Sequence, residues 1–82
     1  MKLPRDLSGN EFSKLLRRYG YEPTHQTGSH IRLTSTLRGA QHHITIPAHK
    51  ELRIGTLANI LNDVSNYLKI SRAELERDLF QR

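Results

Sequence analysis

Gly28-Ser29-His30-Ile31-Arg32-Leu33-Thr34-Ser35-Thr36-Leu37-Arg38-Gly39-Ala40-Gln41-His42-His43-Ile44-Thr45-Ile46-Pro47 is the stretch that decides the fold. Its apolar residues recur every second position. Ile31 and Leu33 alternate with His30, Arg32 and Thr34, and Ile44 and Ile46 alternate with His43 and Thr45. That period belongs to strands buried on one face. Ser35 to Gln41, which holds Arg38-Gly39, reads as the hairpin connection between them. Pro47 ends the second strand because it has no N–H to give to a ladder. A shorter strand over about Tyr21–Gln26 precedes them, closed by a turn at Thr27-Gly28.

On both sides the period changes to that of helices. Ser8-Gly9-Asn10-Glu11 is a capping box, followed by Phe12, Leu15, Leu16 and Tyr19 on one stripe and by Gly20 as a C-terminal stop. The spacing predicts a helix over about 8–19, with Lys14, Arg17 and Arg18 on its solvated side and phosphate contact as their alternative role. After the strands, Gly55-Thr56 predicts a second helix with Thr56 as N-cap, carrying Leu57, Ile60, Leu61, Val64 and Leu68. A second capping box, Ser71-Arg72-Ala73-Glu74, starts a third helix that carries Leu75, Leu79 and Phe80. The order is αβββαα, an α+β chain with helices on one face of a three-stranded antiparallel sheet.

That layering has a chemical consequence. If Ile31, Leu33, Ile44 and Ile46 face the helices, then His30, Arg32, Thr34, His43 and Thr45 face water. The open face is basic and carries two histidines on adjacent strands, which suits a nucleic-acid platform.

Charge supports the same division. The 82 residues carry a net charge of +5, and all of it lies in residues 1–50, with eight Lys/Arg against three Asp/Glu. Residues 51–82 hold five of each. A polyanion-facing half and a neutral half follow. All five histidines, His25, His30, His42, His43 and His49, fall in the basic half. The length fits a single domain over 1–82 with a modest core. The absence of cysteine leaves no disulfide or thiolate metal site. No segment reads as a signal peptide or a membrane span, so a soluble, cytoplasmic protein with no membrane partner is expected.

Two local constellations carry chemistry. In Gly28-Ser29-His30 the glycine permits a tight turn and close approach of a phosphate, Ser29 can donate to it, and His30 can move a proton near neutral pH. The plain alternative is a surface histidine after a turn. Pro47-Ala48-His49-Lys50 leads to the second helix and places His49, Lys50 and Arg53 near free helix N–H groups, a phosphate site or merely a polar connection. A metal site would need His30, His43 and His49 to converge. His42 and His43 point to opposite faces, and no His-Glu-x-x-His is present, so no metal or other cofactor is expected.

Taken in order, the helix before Gly20-Tyr21, Gly28-Ser29-His30, Ile46-Pro47-Ala48-His49 and Gly55-Thr56-Leu57-Ala58-Asn59-Ile60-Leu61 resemble the HicA toxins over about residues 8–80. These are the RNA-cleaving partners of HicB antitoxins in type II toxin–antitoxin pairs. The resemblance implies a double-stranded-RNA-binding-domain-like fold and a ribosome-independent endoribonuclease, an mRNA interferase. It assigns the required histidine to His30 and implies a HicB-like antitoxin that covers the site. Gly28, Ser29, Arg32, Arg38, His43, His49 and Lys50 are then the expected contacts to single-stranded mRNA. Three departures stand out. His25 and Thr27 occupy positions where the family often has basic residues, and Tyr21 stands where Trp is common. The stretch from Ile60 to Ser71 is longer by about one helical turn and lacks the family's glycine.

Such an enzyme needs no metal. RNA supplies its own nucleophile, the 2′-OH, so His30 as general acid or base with Arg32 or Lys50 on the phosphate would suffice. The products would be a 2′,3′-cyclic or 3′-phosphate and a 5′-OH. The alternative reading is a non-catalytic RNA-binding module using the same face.

Overall fold

The computed structural model describes residues 3–81. Helix α1 spans Gly9–Leu16 and tightens into a 3-10 turn over Arg17–Tyr19, ended by Gly20 in the left-handed region at φ 80°. Both halves of the expected capping box form. The Glu11 N–H donates to Ser8 Oγ at 3.0 Å, and the Ser8 N–H donates to the Glu11 carboxylate at 2.9 Å. Those bonds with Ser8 hold the Glu11 carboxyl below the usual glutamate range. Phe12 and Leu16 are fully buried.

Strands β1 (Glu22–Thr27), β2 (His30–Ser35) and β3 (His42–Pro47) form one antiparallel sheet in the order β1-β2-β3. The pairs Ile31↔Ile46 and Leu33↔Ile44 lie on the helix face, and all four residues are buried. Strand β1 starts one residue later than its sequence suggests, because Tyr21 turns inward and is fully buried. Between Pro23 and His25 the register shifts, and every residue of β1 is exposed. A proline and an irregular ladder are common devices for blunting an edge strand.

Helix α2 spans Ile54–Leu68, so Thr56 is not its N-cap. Arg53 takes that position in extended conformation, and its carbonyl accepts the first helical bond from the Leu57 N–H at 2.9 Å. No side chain caps this end. The helix stops at Lys69, which adopts φ 59° without being glycine. Helix α3 spans Arg72–Phe80, with Ser71 accepting from the Glu74 N–H at 3.0 Å. Only this half of the second capping box forms. Leu75 and Leu79 are buried, and the Phe80 ring lies 6.4 Å from that of Phe12. Arg18 is not wholly committed to solvent. Its guanidinium donates to the Asp78 carbonyl and the Tyr19 hydroxyl donates to the Asp78 carboxylate, which ties the end of α1 to α3. Burial and that carboxylate push the Tyr19 phenol upward.

The core joins Phe12, Leu16, Tyr21, the four inward strand residues, Leu52, Leu57, Leu61, Val64 and Leu75, among others. Two backbone bonds strap the start of α1 to the β3–α2 connection. The Gly9 N–H donates to the His49 carbonyl at 2.9 Å, and the Leu52 N–H donates to the Leu7 carbonyl at 2.8 Å. Among the described residues, no helix is long and apolar enough to cross a membrane.

Candidate nucleic-acid interface

The helices cover one face of the sheet, and the other carries the expected polar set. His30, Arg32, His43 and Thr45 are exposed and Thr34 is half-buried. Directly opposed residues of antiparallel strands share a face. Two rows across the sheet follow, Thr27–His30–Pro47 and His25–Arg32–Thr45, with Thr34 opposite His43 beyond them. His25 therefore joins the site next to Arg32, a placement that sequence reading registered only as a departure from a pattern. Its signal was its parity with His30 across a two-residue turn.

The turn itself explains why His30 stands where it does. Thr27 and His30 are register partners, which leaves Gly28-Ser29 as a two-residue hairpin loop. Gly28 sits at φ 50°, the first central position that a II′-type turn reserves for glycine. A Cβ at Gly28 would meet no atom within 4 Å, so glycine is there for its backbone freedom rather than for want of space. Just beyond the paired strands, the Ala48 N–H donates to the Ser29 carbonyl at 2.6 Å. That bond carries the ladder past Pro47 and brings the Ala48-His49-Lys50 segment alongside Ser29-His30. His49 and Lys50 are exposed, and the His49 carbonyl is pinned by Gly9. Gly28, Ser29, His30, Arg32, His49 and Lys50 thus gather at one end of the sheet.

His43 and Arg38 do not join them. His43 faces Thr34, four residues along β2 from His30, or about 13 Å at 3.3 Å per residue. Its Nδ1 shares a 2.7 Å hydrogen bond with Thr34 Oγ1, which in turn lies 3.1 Å from Thr24 Oγ1. This polar chain crosses all three strands and fixes His43 well away from His30. Arg38 lies beyond the far end of β2, in the β2–β3 connection. Its N–H donates to the Tyr67 hydroxyl at 2.9 Å, and that hydroxyl donates to the Ala40 carbonyl at 2.5 Å. Tyr67 of α2 therefore clamps this loop at the end of the sheet opposite His30.

His42 faces the helices, as the strand's alternation requires. Its ring stacks on Tyr67 at 4.7 Å and 10°, and its Nδ1 hydrogen-bonds the Tyr21 hydroxyl at 2.6 Å. Burial pushes the Tyr21 phenol upward, so its proton stays on. His42 is a packing residue. Among the described residues, no three His, Asp or Glu side chains come close enough to hold a metal ion.

An exposed imidazole and an adjacent guanidinium on one face can meet a phosphodiester, with Lys50 at the same end. The family profile described as "HicA toxin of bacterial toxin-antitoxin" matches residues 9–65, from the first residue of α1 into α2. No curated protein and no solved structure matches the chain. The matched span holds α1, the whole sheet, the Gly28-Ser29-His30 turn and the Pro47–Lys50 segment, and on that match the chain belongs to the HicA toxin family.

Proposed function

We propose that this toxin is a metal-independent endoribonuclease, an mRNA interferase, that cuts single-stranded RNA with His30 as its general acid or base. Membership of the family implies a cognate antitoxin, and a HicB-like protein covering this face is part of the same proposal. The observation that carries the reading is the exposed His30 at the end of a basic, helix-free sheet face, beside Arg32 and the Ala48–Lys50 segment. His30 takes the proton from a 2′-OH, and the 2′-oxygen attacks the adjacent phosphorus. The bond from phosphorus to the 5′-oxygen breaks, and the leaving oxygen takes a proton from a second acid or from water. A 2′,3′-cyclic phosphate and a 5′-OH result. Arg32 or Lys50 offsets the charge that builds on the phosphorane oxygens. His25, the register partner of Arg32, and His49, two residues past Pro47, are the histidines at this end of the sheet for the second proton transfer, and His43 is too distant.

A second reading has an observation in its favour. Among the described residues, only His42 and His43 have ring hydrogen-bond partners, so nothing orients the His30 ring. A binding module with the same face would need no such partner. The two readings part on one experiment. Purified wild type and His30→Ala, both shown to be folded, are incubated with long single-stranded RNA in EDTA, and the new 5′ ends are characterised. Cleavage by wild type alone with 5′-OH ends supports the enzyme. Binding by both without cleavage supports the module. A 5′-phosphate product in EDTA sinks the mechanism.

A further inference from the structure

A cleft of about 260 Å³ lies on the helix side of the sheet, between α1 and the edge strand β1. Asn10, Ser13, Lys14 and Arg17 line one wall, and Pro23, Gln26 and Ile31 line the rest. The four helical residues stand at i, i+3, i+4 and i+7, a polar stripe beside the apolar one of Phe12, Leu15, Leu16 and Tyr19. No carboxylate lies in it. Glu11, the nearest acid on the helix, is engaged by Ser8, and Glu22 lies 3.9 Å from Arg17 in a loose, exposed pair. Ser13 is spoken for, since its hydroxyl donates to the Gly9 carbonyl at 3.0 Å. That leaves two cations and two side-chain amides, of Asn10 and Gln26, around a floor of Pro23 and Ile31.

The geometry points to a subsite for one nucleotide of a single-stranded RNA, with its base on the Pro23–Ile31 floor, its edge read by Asn10 and Gln26, and its phosphate held by Lys14 and Arg17. Each part answers a separate need. Carboxamides match the donor–acceptor pattern of a base edge, and cations meet the backbone. Position links the cleft to the site already described. Gln26 and Ile31 are register partners, and the next pair along the strands, Thr27 and His30, faces the other side of the sheet. A strand leaving the cleft and rounding the exposed edge of β1 arrives at His30. The cleft would thus select the base flanking the cleaved bond, which would give the enzyme a sequence preference.

This inference rests on the RNA-cleaving reading for its meaning, and its test does not depend on turnover. In a His30→Ala background, binding of fluorescent single-stranded RNA oligonucleotides of varied sequence is measured at several salt concentrations. Asn10→Ala with Gln26→Ala should erase about tenfold differences in affinity between sequences and leave the salt dependence unchanged. Lys14→Ala with Arg17→Ala should weaken all sequences alike and lower the salt slope by about 0.7, for the one phosphate they hold. A control, Arg77→Ala on α3, should change neither. Thermal melts of each variant separate misfolding from lost contacts. Unaltered sequence dependence in the folded amide variant, or an unaltered salt slope in the folded cation variant, overturns the subsite. If wild type cuts no RNA but these shifts appear, the subsite stands and the catalytic reading falls.

Discussion

The amide of Gly9 lies against the carbonyls that follow β3, donating to His49 at 2.9 Å, so closely that a Cβ on Gly9 would sit 2.0 Å from the Pro47 oxygen. Helix α1 therefore starts where the candidate site ends. Pro47 is the register partner of His30, and Ala48 bonds back to Ser29. Through those contacts the first turn of α1 sets the height of the Pro47–Lys50 segment beside His30. The same carbonyl-dense junction explains why a weak helix former occupies a first-turn position.

The sign of one substitution tests this. In an ordinary helix Gly→Ala stabilises by about 0.5–1 kcal/mol. Here the methyl group would force backbone apart, and overpacking of that kind costs about 1–3 kcal/mol. Gly9→Ala should therefore lower stability by about 2 kcal/mol, read as a fall in Tm of roughly 10 °C in a chain this size. A Tm equal to or above that of wild type would show that the junction gives way easily.

Most of the architecture is legible in the sequence, because the period of two around Ile31–Leu33 and Ile44–Ile46 and the stripes of the helices are dictated by burial. The inward and outward sets of β2 and β3 follow from parity alone. The junctions are less legible. Gly55-Thr56 looks like a helix start, yet helix geometry begins at Ile54, since an extended Arg53 needs no side-chain cap to accept the first bond. Gly9 gives no hint of its neighbour, because the close approach is to residues about forty positions away. Within the site, parity places His30, Arg32 and His43 on one face but says nothing of their separation along it. Only the register shows that His30 lies beside Pro47 and His43 beside Thr34. The position of Arg38 is illegible for the same reason, since a loop residue has no parity to read.

Lys69 offers a gain in stability. It ends α2 at φ 59°, ψ 40°, a conformation that costs a side-chain-bearing residue about 1–2 kcal/mol. Glycine would remove that strain and lose some of the gain to its freer unfolded chain. Lys69→Gly should raise stability by about 0.5 kcal/mol, measurable as a shifted urea midpoint with unchanged slope. A destabilised variant would mean that the lysine side chain makes contributions beyond its backbone.

The histidines should separate by function in cleavage assays. A proton-transfer group contributes about 10²–10⁴-fold, so His30→Ala should reduce the cleavage rate by at least 100-fold. His43 lies opposite Thr34, about 13 Å along the sheet from His30, and is bonded to Thr34, so His43→Ala should cost less than tenfold. A His43 variant as slow as the His30 variant, with its fold intact, would show that the reacting phosphate lies nearer the centre of the sheet.

Glu11 makes the start of α1 sensitive to acid. The Ser8 bonds lower its carboxyl below the ordinary value of about 4.3, so the folded state favours the ionised form. Its contribution is complete above the unfolded value and is lost as pH falls through the lower, folded one. Glu11→Gln keeps an acceptor for the Ser8 N–H and carries no charge. Wild type should thus melt above this variant from neutral pH down to about pH 5, and the gap should close steadily under more acidic conditions. Paired thermal melts between neutral pH and about pH 2.5 would read it. A gap that stays constant across that range would mean that the carboxylate's charge adds nothing to the cap, and that its shape as an acceptor does all the stabilising.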